Sequence, residues 1–388
     1  MPTAGRLRRF LIAILAGLAV GLVVLVASSE GLRTVTGGRI GGDLPAFYGA
    51  GRIVRSGHGR QLYDAQIQEA AQRDLLPVAG RLPFPYPPFV AAAYAPLTWL
   101  PFKAAYVVHV LVMALCVVAA MALLRAALPA LQRDLLPIVA AALGFYPIFR
   151  AVLGGQNTPL SLLCAAGAAS ALARGRDLAA GLWIGAWLFK PQLALPVAAI
   201  VLLRSANRAR CALGIAAIGA LYYAAGAAIG GWTWPWWWWH EGAIPFAAAD
   251  LVVDRANGIS LPIAAAYLGV APAGWIAAIL LGAGVVWMAW RARLAGVALV
   301  AVAAATAVLT APYVLYYDGG LALLGLIVAW AARPSLLPAV GGLWLLAWLQ
   351  VFREWLPLPP LTIVLAASLL LAARTREDAQ AGGELLLR

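Results

Sequence analysis

A single aspartate, Asp43, is the residue of this sequence best placed to carry chemistry. It stands in the segment Gly41-Gly42-Asp43-Leu44-Pro45, directly after the first long apolar stretch and at the start of a polar one. A carboxylate held where a membrane segment meets a polar loop is suited to take a proton from a substrate hydroxyl. The same segment is typical of a turn in which the aspartate caps the next helix. Spacing alone therefore leaves a general-base role and a capping role open.

Two further polar sites interrupt apolar stretches. The segment Gly-Gly-Gln-Asn-Thr at 154–158 offers the amides of Gln156 and Asn157 to a substrate, or else a turn that caps the following helix. Lys190 lies inside a long apolar run, two residues before Gln192. A charge within a membrane segment is costly unless it is paired or hydrated, so such a residue is a candidate for function. We predict that Lys190 binds a phosphate; the alternative is a lysine that extends to the membrane surface.

Polar side chains also accompany the later apolar segments. The tryptophan-rich stretch 232–239 is typical of a membrane interface, although aromatic faces also suit sugar rings and polyprenyl chains. His240 follows this stretch and is placed to orient a hydroxyl or a phosphate. Arg255, close to Asn257, offers a bidentate fork for phosphate. Asp318 is predicted either to cap a helix at the interface or to orient an acceptor.

The composition indicates a chain that lies mostly within a bilayer. Of the 388 residues, 64% are hydrophobic and 11% are charged, and the mean hydropathy is +0.87. The formal charge of +13 comes largely from arginine clusters beside apolar segments, which membrane topology and anionic headgroups explain better than nucleic acid. The three cysteines lie in apolar segments and the three histidines lack metal-site spacing, so neither a disulfide framework nor a metal centre is expected.

We predict one integral membrane domain over residues 1–388. Its parts are a first transmembrane helix at 10–28, an extracytoplasmic loop at 29–88, further membrane segments at 89–373 and a cytoplasmic tail at 374–388. The first helix is interpreted as a retained anchor. The arginines before it place the N-terminus in the cytoplasm, and the later basic clusters give about 10–12 transmembrane helices with the C-terminus also inside. Asp43 then lies on the extracytoplasmic side of the cell membrane.

Two local predictions follow from the same clusters. The apolar run around Lys190 has basic clusters at both ends, so we predict two short helices with Lys190 at the turn between them. The stretch 232–257 is predicted to be an external loop.

Between about residues 40 and 320 the polar motifs form an ordered series. Its members are Gly42-Asp43 with Phe47-Tyr48, Leu62-Tyr63-Asp64, Phe84-Pro85-Tyr86-Pro87-Pro88, Gly155-Gln156-Asn157, Lys190-Pro191-Gln192, and Pro312-Tyr313 with Tyr317-Asp318. The series resembles glycosyltransferase family 87, whose members span the membrane several times, have a GT-C-type fold and use polyprenyl-phosphate sugars, typically mannose.

The resemblance implies an all-α polytopic membrane protein with a long first extracytoplasmic loop. It also implies an inverting hexosyltransferase in which Asp43 is the catalytic base. Lys190 is the first candidate to bind the donor phosphate, and Arg255 and His240 are the second. The expected substrate contacts are Tyr48, Tyr86, Gln156, Asn157, Gln192, Asn257, Tyr317 and Asp318.

The expected partners are a polyprenyl-phosphate sugar donor, a lipid or glycan acceptor and membrane lipids, and no nucleic acid. Many GT-C enzymes carry a second acidic residue that is linked to a metal. No acidic residue adjoins Asp43 here, so neither a metal nor another cofactor is expected. The alternative of a different class is a transporter or flippase of polyprenyl-linked glycans, for which an intramembrane charge is also typical. A non-catalytic scaffold leaves Asp43 and Lys190 unexplained.

Overall fold

The computed structural model describes residues 4–29, 32–34, 38–76, 80–131, 135–253, 255–291, 294 and 296–374. Across these residues the chain is helical, and β pairing is confined to two isolated bridges, Arg33–Arg39 and Gly258–Leu315. The all-α class predicted from the sequence is therefore confirmed.

The α-helices of the described chain follow one another with short connections. They are α1 (Ala4–Ala27), α2 (Leu44–Arg55), α3 (Ala65–Gln72), α4 (Pro88–Tyr94), α5 (Phe102–Ala127), α6 (Leu135–Leu143), α7 (Tyr146–Leu153), α8 (Thr158–Ala173), α9 (Asp177–Ala186), α10 (Pro191–Arg204), α11 (Arg208–Gly230), α12 (Trp234–Trp237), α13 (Ile244–Val253), α14 (Leu261–Tyr267), α15 (Ala271–Arg291), α16 (Gly296–Thr310), α17 (Ala322–Ala332), α18 (Leu337–Trp348) and α19 (Pro360–Arg374). Prolines stand in the first turn of α2, α4, α10, α14 and α18, where no helical N–H is needed.

Several of these helices suit a membrane. In the part of the chain that the structure describes, four stretches are long and apolar enough to cross one: α5, α11, α15 and Pro334–Trp355, which contains α18. The helices α6 and α7 meet at 72° and form a fifth span if they are counted together. Six more apolar helices have 10–17 residues, fewer than the roughly 20 that cross a bilayer unaided. The protein is therefore an all-α polytopic membrane protein.

The first of two compact units comprises residues 1–115, 150–157 and 219–253. Its helix α2 is buried along most of its length and packs against α3 and α4. The ring of Phe47 on α2 meets those of Tyr86 and Tyr94 at centroid distances of 4.9 and 4.7 Å. These aromatic contacts fix α2, and with it the start of the helix where Asp43 lies.

The second unit comprises residues 116–149, 158–218 and 254–388. Its central helix is α16, which packs against α8, α10, α15, α17 and α19 and is buried on every face. The sequence of α16 is apolar all round, as expected for a helix that is enclosed by other helices.

One local prediction is confirmed and another is wrong. Lys190 lies between α9 and α10 with non-helical backbone (φ −123°, ψ 75°), as the predicted pair of short helices requires. The stretch 232–257, predicted to be a loop, is instead largely helical, with α12, a π-helical turn at Trp238–Ala243, and α13. Pro235 is favourable in the first turn of α12, and α13 after its first turn consists of apolar residues apart from Asp250.

Candidate active site

The backbone places Asp43 at the start of α2, but its side chain does not cap that helix. Asp43 is the N-cap residue with φ −95° and ψ −4°, and its carboxylate accepts no hydrogen bond from the first turn. Instead, Oδ2 accepts a hydrogen bond of 2.5 Å from Nε2 of Gln156. Nη2 of Arg39 lies 3.8 Å from Oδ1. The carboxylate of Asp43 therefore does not have the helix-capping role that the sequence left open.

The backbone also ties the two segments together. The N–H of Asp43 donates to the carbonyl of Gly154 over 2.9 Å. Gly42 has φ +52° and Gly155 has φ +71°, a region that residues with a Cβ rarely adopt. A Cβ on Gly155 would collide with the carbonyl oxygen of Gly41. Both glycines are therefore required for this close approach.

Helix α5 holds the segment that carries Gln156. The hydroxyl of Tyr106 donates to the carbonyl of Leu153 over 2.9 Å, and the ring of His109 is hydrogen-bonded to the backbone of Gln156. Tyr106 and His109 are three positions apart and share one face of the helix. Neither residue is predicted from the sequence to belong to the site. A histidine within a long apolar run is the sequence signal for His109, because polar groups inside membranes are rarely without a role.

The surroundings of Asp43 change its electrostatics. Burial raises the pKa of the Asp43 carboxyl above its ordinary value of 3.8, while the hydrogen bond from Gln156 and the charges of Arg39 and Arg150 act in the opposite direction. The side chain still has 41% of its surface accessible. A carboxylate that is desolvated and yet accessible has the properties of a general base that a substrate can reach.

The other residues predicted in the first unit have varied surroundings. The hydroxyl of Tyr86 donates to Oδ1 of Asn157 over 3.4 Å. Tyr48 is buried and donates to the carbonyl of Leu100 over 2.7 Å. His240 is exposed, and its ring lies 3.7 Å from that of Trp236, centroid to centroid. The structure thus brings Tyr86 and Asn157 together and leaves His240 at the surface.

The second unit contains a buried charge cluster. Nζ of Lys190 lies 2.6 Å from Oδ1 of Asp318, and these side chains are 2% and 5% exposed. The hydroxyl of Thr158 donates to the same carboxylate oxygen over 2.8 Å. The Lys190 ammonium also lies 5.4 Å from the centre of the Tyr317 ring. Lys190 therefore does not extend to the membrane surface, and Asp318 is its counterion.

The remaining predicted residues of this unit are not part of the charge cluster. Gln192 is exposed in the first turn of α10, and Asn257 ends the 3-10 turn Arg255–Asn257. The side chain of Arg255 lies outside the described part of the structure. Among the residues that are described, no group of three His, Cys, Asp or Glu side chains could hold a metal ion.

Comparison with known proteins identifies the family. Residues 84–315 match the sequence profile of glycosyltransferase family 87. The match includes Gln156 and Lys190 and begins after Asp43. No curated protein and no solved structure matches the chain. Because the profile covers more than half of the sequence, this membrane protein belongs to glycosyltransferase family 87 and transfers a sugar from a donor to an acceptor.

Proposed function

We propose that the protein transfers mannose from a polyprenyl-phosphate donor to an acceptor hydroxyl, with inversion at the anomeric carbon and with Asp43 as the general base. One observation supports this role most directly. The carboxylate of Asp43 does not cap α2 and instead accepts a hydrogen bond from Gln156. Family membership supports the reaction class. The identity of donor and sugar comes from the resemblance of the ordered motifs.

In the proposed step, Asp43 accepts the proton of the acceptor hydroxyl as that oxygen attacks the anomeric carbon. The bond between this carbon and the phosphate oxygen breaks, and the polyprenyl phosphate leaves with the bonding electrons. A β-linked donor thereby gives an α-glycoside. Gln156 holds Oδ2 of the carboxylate, so that Oδ1 is the oxygen proposed to take the proton. The unpartnered Oε1 of Gln156 can accept a hydrogen bond from a substrate hydroxyl.

Positive charge must offset the charge that develops on the leaving phosphate. Lys190 is the first candidate. An ammonium group has three N–H donors, and Asp318 and Thr158 accept two of them at 2.6 and 3.4 Å. The third remains for a phosphate oxygen, while Asp318 fixes the position of the ammonium. Arg255 and His240 are the second candidates.

Further residues of each unit are proposed to contact the substrates. Arg39 and Arg150 supply positive charge close enough to lower the pKa of the Asp43 carboxyl. Tyr86 and Asn157 are hydrogen-bonded to each other and are proposed to bind sugar hydroxyls. The other proposed contacts are Tyr48, Gln192, Asn257, Tyr317 and Asp318.

The reaction is proposed to occur on the extracytoplasmic side of the cell membrane, with both termini in the cytoplasm. The arginines in the first turns of α1 support this orientation. The donor would enter from the bilayer. The exposed side chains of Trp232, Trp236, Trp237 and Trp239 are proposed to contact its chain or its sugar, because tryptophan suits the depth at which lipid chains meet headgroups.

The test is transfer of radiolabelled mannose from polyprenyl-phosphate mannose to a lipid extract by membranes that contain the protein. We expect product from the native protein and none from Asp43→Asn. The matched control is Asp74→Asn, which removes a carboxylate paired with Arg52 in the same predicted loop and should leave transfer intact. Undiminished transfer by Asp43→Asn would show that Asp43 is not the general base.

A transporter or flippase of polyprenyl-linked glycans is the second candidate, because buried charge pairs such as Lys190–Asp318 also mark transport pathways. Vesicles that contain the protein and a fluorescent polyprenyl-linked glycan distinguish the two functions. Flipping without sugar transfer would favour the transporter. Transfer that depends on Asp43, with no flipping, would exclude it.

A further inference from the structure

A buried arginine in the second unit has no acidic partner in the part of the chain that the structure describes. Arg353 lies in the 3-10 turn Leu349–Trp355, after α18, and is 2% exposed. No carboxylate among the described residues lies within ion-pair distance of it, although the structure shows such pairs elsewhere, as at Lys190–Asp318. A guanidinium stays charged under all ordinary conditions. A buried charge without a counterion is strongly unfavourable, so its compensation must be explained.

Only part of this guanidinium is satisfied by the protein. Nη1 donates to the carbonyl of Leu356, and the ring of Tyr267 lies 4.0 Å from Cζ in a cation–π contact. Nε and Nη2 have no hydrogen-bond partner among the described residues. These two groups form the edge of the guanidinium that grips two oxygens of a phosphate or a carboxylate at once. The edge suited to bidentate binding of an anion is therefore the one that the protein leaves unused.

Gln350 adds a third buried donor in the same segment. It stands three positions before Arg353, on the other side of a kink at Phe352 (φ −96°, ψ 21°), and both side chains are 2% exposed. Its Oε1 accepts a hydrogen bond of 3.4 Å from the N–H of Leu361, which determines which way the amide is oriented. Its Nε2 is buried and has no partner. Arg353 and Gln350 thus both have N–H donors without a described partner, whereas the acceptor oxygen of Gln350 is already bonded.

The aromatic residues beside Arg353 indicate its depth in the membrane. Arg353 is close to the end of the candidate span Pro334–Trp355. Phe352 and Trp355 stack at 5.8 Å and are 47% and 79% exposed, as is typical of aromatic side chains at the membrane–water interface. Phosphate groups of lipids lie at that depth.

We propose that Arg353 and Gln350 form a binding site for a phosphate group, with the ring of Tyr267 against the guanidinium. Two phosphate oxygens accept from Nε and Nη2 of Arg353, one each, and a third accepts from Nε2 of Gln350. The turn that carries the Leu356 carbonyl covers the guanidinium and must shift as the anion enters. Its two donor residues, Arg353 and Gln350, lie beyond the matched segment 84–315, and the site does not depend on the proposed transfer reaction.

The site is tested by thermal unfolding of delipidated protein in a maltoside detergent. One arm adds inorganic phosphate, a second adds a short-chain phosphatidylglycerol, and a third adds diacylglycerol, which lacks phosphate. We expect a rise of several degrees in the Tm of the native protein with at least one phosphate-bearing probe and none with diacylglycerol. A rise with inorganic phosphate alone identifies a free-phosphate site, and a rise with the phospholipid alone identifies a headgroup site.

Three variants make the test specific. Arg353→Met should abolish the rise, and Gln350→Leu, which keeps the charge, should weaken phosphate binding on the order of tenfold. The control is Arg174→Met, which removes an exposed arginine bonded to Ser170 and should retain the full rise. No rise in the native protein with either phosphate probe, or an equal rise in Arg353→Met, would overturn the proposal. If Arg353→Met does not fold, unchanged phosphate affinity in Gln350→Leu overturns the shared site.

Discussion

The amide of Gln156 donates to the carboxylate of Asp43 over 2.5 Å, between residues that are 113 positions apart in the chain. This bond sets the direction of the carboxylate and stabilises its ionised form. Burial acts against that ionised form and is the larger of the two effects. Asp43 is therefore held in place and remains a stronger base than an ordinary aspartate, as its proposed role requires.

Asp43→Asn should lower the transfer activity without lowering the stability of the protein. Loss of a general base should lower transfer about 10²–10⁴-fold. A raised carboxyl pKa in the folded protein means that the stabilisation from Asp43 is complete below pH 3.8 and is lost as the pH rises through the raised pKa. At pH 7 the charge thus opposes folding, and Asp43→Asn should keep or raise the Tm. A lowered Tm together with lost transfer would indicate a structural role instead.

The pH profile of kcat/KM should report the ionisation of Asp43. The ionised form of Asp43 is the active one, so activity should fall on acidification through a pKa that lies above 3.8. Gln156→Met removes the hydrogen bond that lowers this pKa, and its acidic limb should shift to higher pH. The profiles of native and variant protein are measured with the same donor. Coincident acidic limbs would show that Gln156 does not act on the titrating group.

The Lys190–Asp318 pair predicts a difference between single and double variants. Lys190→Met leaves a buried, unpaired carboxylate and should cost about 3–5 kcal/mol of stability. The double variant Lys190→Met/Asp318→Asn removes both charges and should recover most of that loss. If Lys190 binds the donor phosphate, the recovered protein should still have a KM for the donor at least about tenfold higher. A native donor KM in the stable double variant would restrict Lys190 to a structural role.

The features of the fold that depend on residues close together in the chain were predictable from the local sequence pattern. The apolar runs gave the all-α membrane class, and the basic clusters gave the two short helices on either side of Lys190. The polar segments after apolar ones drew attention to Asp43 and Gln156. Each of these features follows from residues that are close together in the chain.

Pairings between distant segments were not predictable in this way. Lys190 was predicted to bind phosphate, but its counterion Asp318 lies 128 positions away, and no local rule couples the two. The bond between His109 and the Gln156 backbone likewise depends on how α5 packs. The basic clusters that predict a loop over 232–257 indicate the course of the chain across the membrane and not its local structure, so they do not predict the helix α13.

Gly155→Ala should be far more harmful than the same change at Gly57. Both glycines have φ between +70° and +82°, so alanine costs about 1–2 kcal/mol of backbone strain at either position. At Gly57 a Cβ meets nothing within 4 Å, whereas at Gly155 it collides with the Gly41 carbonyl. The collision adds about 1–3 kcal/mol and displaces Asp43 from Gln156. Thermal unfolding and transfer assays of both variants check this, and equal effects would contradict it.

His109→Phe should lower kcat and leave the donor KM unchanged. Phenylalanine keeps a ring beside Tyr94, which lies 5.8 Å from the imidazole, but loses the hydrogen bond to the Gln156 backbone. A small displacement of Gln156 misorients Asp43, for which we expect a roughly 10–100-fold loss of kcat.

The acidic limb of the pH profile distinguishes this positioning role from a general loss of stability. A weaker bond between Gln156 and Asp43 should move that limb of His109→Phe to higher pH, in the same direction as in Gln156→Met. Tyr106→Phe, which releases only the Leu153 carbonyl, should give a smaller shift of the same sign. Met113→Leu, a buried change further along α5, is the control and should move neither kcat nor the limb. A His109→Phe protein with a lower Tm and an unmoved acidic limb would show that His109 stabilises α5 and does not position the base.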